Sequence, residues 1–291
     1  MSTAAATTPR SVVVAGGEGA VGSMLADLWA GADASVLRPD VAAGPGCDIR
    51  SPGTRLRADI GSADVVVLAV PEEVALTAVG AVGPLLRPGA VLVETLSVKS
   101  RFAAAVAASE LAAEVVGVNP MFAPSLGLPG RAVAVVVHRG GPAVDRIVAD
   151  LTGWGARVQV TTADRHDRWC AAMQALTHAA VLSFGLALAD LDVDAAETES
   201  LAPPPHTVLS ALLARITGGS PEVYRDVQVA NPYAAPAREA LARAMARLAD
   251  VCGTGTEAEF AALLADAAAP LGDRWSGYAV RCAELFEGLD R

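Results

Sequence analysis

Clusters of lysine and arginine are missing from this sequence. Its 22 basic residues are outnumbered by 32 acidic ones, the formal charge is −10, and no stretch is built to neutralise a phosphate backbone. Nucleic acid is therefore not the expected partner. Cys-x-x-Cys spacing is missing too: Cys47, Cys170, Cys252 and Cys282 are scattered, which argues against a zinc site or a disulfide framework and for a reducing, cytoplasmic setting. The opening MSTAAATTPR has neither the basic nor the apolar region of a signal peptide, so residues 1–10 are expected to be a disordered lead. Apolar runs such as Val65–Val70 have the length of strands. No uncharged run is expected to reach the roughly 18–20 residues of a membrane-spanning helix. A soluble protein without a membrane partner is the expectation.

What is present is a chain that changes character once. At 291 residues and 53% hydrophobic it can bury one large core or two ordinary ones. Between residues 11 and 162, short β-branched runs alternate with Ala-rich helical segments. The runs are Val12–Ala15, Ser35–Leu37, Val65–Val70, Val91–Glu94, Val115–Val118, Ala132–Val137 and Arg157–Val160. Continuously apolar strands alternating with helices predict a mostly parallel sheet covered on both faces, a doubly wound α/β Rossmann domain. From residue 163 to 291 the β-branched runs stop, and Ala, Leu and charged residues recur at helical spacing, punctuated by Pro203–Pro205 and Gly218–Gly219. This half is predicted to be all α. Its Ala/Leu-rich helices are too apolar for one thin layer, so it is expected to form a homodimer.

The first strand runs straight into Gly17-x-Gly19-x-x-Gly22, and Ala20 and Val21 begin the helix that follows. Glycines at this spacing allow a tight turn, close approach of backbone to a pyrophosphate, and close packing of helix on strand; the helix N-terminus adds amide donors and the positive end of its dipole. A dinucleotide cofactor is implied. At the end of the second strand, Asp40 can bind adenosine ribose hydroxyls, favouring NAD, or Arg38 can meet a 2′-phosphate, favouring NADP. NAD is the expected cofactor, and NADP stays open.

Several segments then follow in a telling order: Leu68-Ala69-Val70-Pro71, Glu94-Thr95-Leu96-Ser97-Val98-Lys99, Gly117-Val118-Asn119-Pro120-Met121-Phe122, His166-Asp167, and Gln174-Ala175-Leu176-Thr177-His178. Together with the glycine loop, their order and spacing resemble the prephenate/arogenate dehydrogenase family along nearly the whole chain. The resemblance implies oxidative decarboxylation of a cyclohexadienyl diacid, in which hydride leaves ring C4, carbon dioxide leaves C1, and the ring becomes aromatic. It implies that Val70 and Pro71 lie at the cofactor, that Ser97 and Lys99 lie at the active site, that Gln174 and His178 contact substrate, and that Arg215 grips a carboxylate. It also brings His166 into the site region, although His166-Asp167 can equally be a helix-start signal. Lys99, Arg215 and a protonated His178 would together supply positive charge for a diacid. His138 and His206 match nothing in the family pattern and read as an exposed turn and a loop residue.

One position departs from the resemblance. Where the family carries a histidine that takes the proton of the ring 4-hydroxyl, this chain has Asn119. An asparagine amide donates and accepts but does not titrate near neutrality. A C4 amino group needs no such base, because nitrogen releases its lone pair without prior deprotonation. The sequence thus leans toward a 4-amino-4-deoxyprephenate substrate giving 4-aminophenylpyruvate, with prephenate or arogenate as the alternative. Dehydrogenases of β-hydroxyacids or imines, and a non-catalytic dinucleotide-binding protein, are further alternatives. No segment is available for a fused mutase or regulatory module, so a monofunctional chain is expected.

Overall fold

The computed structural model describes residues 10–192, 194–219 and 221–289; the lead expected over residues 1–10 lies, apart from Arg10, outside them. The chain divides into two compact units after Cys170.

The first unit alternates strand and helix: β1 (Ser11–Ala15), α1 (Ala20–Gly31), β2 (Ser35–Leu37), α2 (Thr54–Ser62), β3 (Val65–Leu68), α3 (Glu72–Val82), β4 (Val91–Glu94), α4 (Ser100–Ala108), β5 (Glu114–Pro120), β6 (Ala132–Arg139), α5 (Pro142–Gly153), β7 (Arg157–Thr161) and α6 (Ala163–Cys170). The strands form a seven-stranded sheet in the order β2-β1-β3-β4-β5-β6-β7. Neighbours are parallel except β5 and β6, which are antiparallel.

Successive side chains of a strand point to opposite faces, and the apolar runs fill both. Val12, Val14, Val65, Val67, Val91, Val93, Val116 and Val118 pack with α1 and α5 on one face. Val13, Ala15, Val66, Leu68, Leu92 and Val115 pack with α2, α3 and α4 on the other. By the same alternation Glu94, Gly117 and Asn119 belong to the second face, at the C-terminal ends of β4 and β5. The crevice outside the C-terminal strand ends is where open α/β sheets bind ligands.

The second unit opens with a π turn at Ala171–Ala175 and continues through α7 (Leu176–Asp190), α8 (Ala195–Thr198), α9 (Pro204–Thr217), α10 (Pro221–Val229), α11 (Ala234–Thr254), α12 (Glu257–Ala268) and α13 (Trp275–Leu289). Gly218 ends α9, where the sequence placed a stop. Thr256 and Glu259 form a reciprocal capping box at the start of α12. The core of this unit is small: Ala175, Val227 and Ala234 form its buried cluster. Met245, Leu264, Trp275, Val280 and Leu285, on α11 to α13, are exposed.

Two sequence expectations need correction. His206 lies in the first turn of α9 rather than in a loop, edge-on to Phe184 at 5.5 Å. The limit on uncharged runs also fails, since the helical stretch Ala163–Asp190 contains an 18-residue window of mean hydropathy 1.5 and is long and apolar enough, on length and composition, to cross a membrane. Small alanines carry much of that hydropathy, interrupted by the polar Gln174 and His178.

Candidate active site

The glycine loop has the geometry its spacing predicts. Gly16 holds φ +75°, and a Cβ there would sit 2.1 Å from the carbonyl oxygen of Ala69. A Cβ at Gly22 would sit 2.1 Å from the oxygen of Gly16, so only glycine lets α1 pack this closely on the loop. Gly19 is the N-cap residue of α1, and Ala20 and Val21 lie in its first turn. This cradle fits a dinucleotide pyrophosphate: it brings backbone close, excludes side chains, and ends on an open helix N-terminus. Val70 and Pro71 lie in the turn between β3 and α3, beside Gly16. The residues at the end of β2 are already engaged. Arg38 pairs with Asp27 of α1, and Asp40 accepts a hydrogen bond from the amide of Ala42 at 2.9 Å.

Beyond β4 and β5 the first unit holds a connected buried polar network. Asn119, only 4% exposed, places Nδ2 3.0 Å from Nε2 of His166. Nδ1 of His166 lies 2.8 Å from Oδ1 of Asp167. Asp167 also accepts from the amides of Lys99 at 2.8 Å and Ser100 at 2.9 Å, and from the Ser100 hydroxyl. The helix-start reading of His166-Asp167 is not met, since both residues lie inside α6; the Asp167 carboxylate instead takes the first amides of α4, a helix more than sixty residues away in sequence. Burial opposes its charge, but the bonds from His166, Ser100 and Lys99 bring its pKa below the ordinary aspartate value. Cys170, one turn after His166, sets its Sγ 3.5 Å from Nε2, and burial pushes the thiol pKa up to about 12.

Lys99 is fully buried. Its Nζ donates to Oε2 of Glu94 at 2.8 Å, and Oε1 of Glu94 lies 3.0 Å from Nε2 of His138. The His138 side chain is 2% exposed, so the exposed-turn expectation is wrong: β6 extends through Arg139, and the imidazole turns in to meet the carboxylate. A Cβ at Gly117 would fall 2.0 Å from Oε1 of Glu94, so the absence of a side chain there makes room for that carboxylate. Burial depresses the Lys99 pKa against the pull of Glu94. Burial works against charge on Glu94 as well, yet Lys99 and His138 bring its pKa below the ordinary glutamate value. Ser97 lies at a partly exposed bend in the same segment.

In the second unit, Gln174 and His178 lie one turn apart. Gln174 Oε1 and His178 Nδ1 are buried and have no hydrogen-bond partner among the described residues. The His178 ring packs edge-on against Tyr224 at 5.0 Å. Burial and the nearby Arg215 charge hold its pKa below the ordinary value, so near neutral pH it offers a neutral imidazole rather than the cation considered from sequence. Arg215, in the last turn of α9, is exposed. The structure thus gathers Asn119, Ser97, His166 and Lys99 in the first unit and Gln174, His178 and Arg215 in the second.

Asp167, Glu94, His138 and Cys170 were missed as parts of this site. One of them had a visible signal: Glu94 is the lone acid ending an otherwise apolar strand, and a buried charge demands a partner. Among the described residues no cluster of His, Cys, Asp or Glu is arranged to hold a metal ion.

Residues 41–135 match the nucleotide-binding domain of prephenate dehydrogenase, and residues 162–266 match the prephenate dehydrogenase dimerization domain. The chain is 49% identical over 286 residues to a 4-amino-4-deoxyprephenate dehydrogenase of Streptomyces pristinaespiralis, covering 95% of this chain and 96% of that one. It shares its fold with a putative prephenate dehydrogenase of Corynebacterium glutamicum (TM-score 0.68, 19% identity, 95% and 97% of the two chains covered). It also shares it with the prephenate dehydrogenase of Aquifex aeolicus in complex with hydroxyphenyl propionate and NAD+ (TM-score 0.66, 16% identity, 97% and 100% covered). This chain belongs to the prephenate dehydrogenase family.

Proposed function

We propose that this protein is an NAD-dependent dehydrogenase that oxidatively decarboxylates 4-amino-4-deoxyprephenate to 4-aminophenylpyruvate. The observation that carries the reading is the environment of Asn119. The amide stands buried at the end of β5, bonded to His166, at the position that the sequence resemblance gives to a general base. The 49% identity to an enzyme named for this substrate supports it.

Bound NAD would supply the hydride acceptor, held by the loop of Gly17, Gly19 and Gly22 and by the first turn of α1. The chain's own groups do the rest. As hydride leaves C4, positive charge develops on the carbon and is shared by its substituent; a hydroxyl shares it well only when a base removes its proton, whereas an amine that enters neutral shares it unaided. Asn119 then has to orient the amine rather than deprotonate it, with Oδ1 accepting an N–H bond. Loss of carbon dioxide from C1 returns two electrons to the ring, so the dianionic acid yields an arylamine monoanion without net proton transfer to the protein. Arg215 is assigned to a substrate carboxylate, with the unsatisfied Gln174 and His178 completing the contact. Ser97 lines the site.

The enzyme is proposed to act as a cytoplasmic homodimer joined through the helical unit. The exposed apolar residues of α11 to α13, and the apolar stretch from Ala163 to Asp190, are explained by burial against a second copy rather than in a bilayer. The deciding assay compares NAD reduction with prephenate, arogenate and 4-amino-4-deoxyprephenate. The amino compound is expected to give the highest kcat/KM, and a higher value with prephenate would overturn the substrate assignment.

A further inference from the structure

The Asp167 carboxylate can only accept hydrogen bonds, and it already takes the amides of Lys99 and Ser100. Its contact with His166 Nδ1 therefore requires the proton on Nδ1. A neutral imidazole in that tautomer has a lone pair on Nε2, and the group facing it at 3.0 Å is the Asn119 amide. Only Nδ2 of that amide can donate, so Nδ2 points to His166 and Oδ1 takes the opposite end.

Resting on the reading that Asn119 meets the C4 substituent, we propose that His166 is a positioning residue that fixes the orientation of the Asn119 amide. While neutral, it makes the site offer an acceptor to C4, which an amine N–H or a hydroxyl can meet; protonation of His166 puts a donor there instead, which disfavours the amine. An imidazolium donates from both nitrogens, so the amide must turn over, give Oδ1 to His166, and present its NH2 to the substrate. The arylamine of the product has N–H donors but a poor acceptor and meets that NH2 badly, while a phenol oxygen can accept from it.

The ionisable groups around His166 are fixed by the structure. The Asp167 carboxylate meets Nδ1 at 2.8 Å. The Cys170 thiol, 3.5 Å from Nε2, stays neutral because burial pushes its pKa up to about 12. Lys99 stands behind Asp167 with its charge met by Glu94, and Glu94 is also held by His138.

Two measurements on the full-length protein test the proposal. The chain has four histidines, so 15N imidazole spectra of the labelled enzyme can be assigned by single substitution. His166 is expected to carry its proton on Nδ1 and none on Nε2 at neutral pH; a protonated Nε2 there overturns the proposal. The second measurement is the dissociation constant, with NADH bound and at pH values above protonation of its own arylamine, of 4-aminophenylpyruvate against that of 4-hydroxyphenylpyruvate. Over the pH range in which those spectra show His166 taking up a proton, affinity for the amine is expected to fall about tenfold while affinity for the phenol holds or rises. In His166→Gln, whose amide oxygen accepts from Asn119 without titrating, that pH dependence should vanish. Its persistence would overturn the proposal. If the tautomer is as proposed but both ligands respond to pH alike, it is the placement of Asn119 at C4 that fails, and the substrate selection built on it falls too.

Discussion

In the first unit Lys99, Glu94, His138, Asn119, His166 and Asp167 are buried and bonded to one another or to backbone amides. In the second, Gln174 and His178 each bury a polar atom that has no partner among the described residues. The apolar residues divide the same way. Two continuous cores sandwich the sheet, whereas the helical unit leaves Met245, Leu264, Trp275, Val280 and Leu285 exposed. A buried group without a hydrogen bond is costly, and so is a large apolar face in water. The first unit is completed by its own chain; the second is proposed to be completed by what it binds, a substrate for its polar atoms and another copy for its apolar ones.

Four experiments test whether the two units differ in this way. Asn119→His restores a titratable base in the saturated network and should raise kcat/KM on prephenate by about 10²–10⁴-fold, with activity on the amino substrate flat or falling. No gain on prephenate would show that Asn119 does not reach C4. Lys99→Met leaves Glu94 a buried carboxylate without its ammonium, and urea denaturation should register a loss of about 3–5 kcal/mol. A loss below about 1 kcal/mol would mean that the pair is not integral to the first unit. Arg215→Ala, in the open half, should leave stability within about 0.5 kcal/mol but reduce kcat/KM by the equivalent of about 2–5 kcal/mol. Steady-state kinetics beside thermal melts separates the two, and unchanged kcat/KM would show that another group holds the carboxylate. The smallest effect is on melting. If the helical unit depends on a second copy, each tenfold dilution should cost about 1.4 kcal/mol of apparent stability. A Tm independent of concentration, with a monomer in sedimentation, would remove the dimer.

Much of this was legible in the sequence, because it depends on neighbours along the chain. All seven β-branched runs became strands, two of them, Ser35–Leu37 and Val91–Glu94, with the expected bounds. The glycine spacing set the turn between β1 and α1, since close approach of backbone can be read from the residues that permit it. The rest depended on distant pairing. Nothing near Asp167 reveals that its carboxylate caps α4, and nothing near His138, followed by Arg139-Gly140-Gly141, reveals that its ring turns in toward Glu94. Lys99 looked like an open charge for a diacid because its partner, although only five residues away, faces it solely through the bend after β4. Asn119 was legible as a departure from a pattern and His166 as part of the site region, but the hydrogen bond that joins them was not.

Cys170 carries a practical consequence for chemical labelling. Alkylating reagents attack the thiolate, and a thiol whose pKa is pushed up to about 12 in a buried setting supplies almost none. Cys252 on α11 and Cys282 on α13 are exposed. A maleimide dye or spin label should therefore spare the cysteine beside His166, and labelling of Cys252 and Cys282 reports directly whether a second copy covers α11 and α13, with Cys47, half-buried in the first unit, as the one competing position to replace.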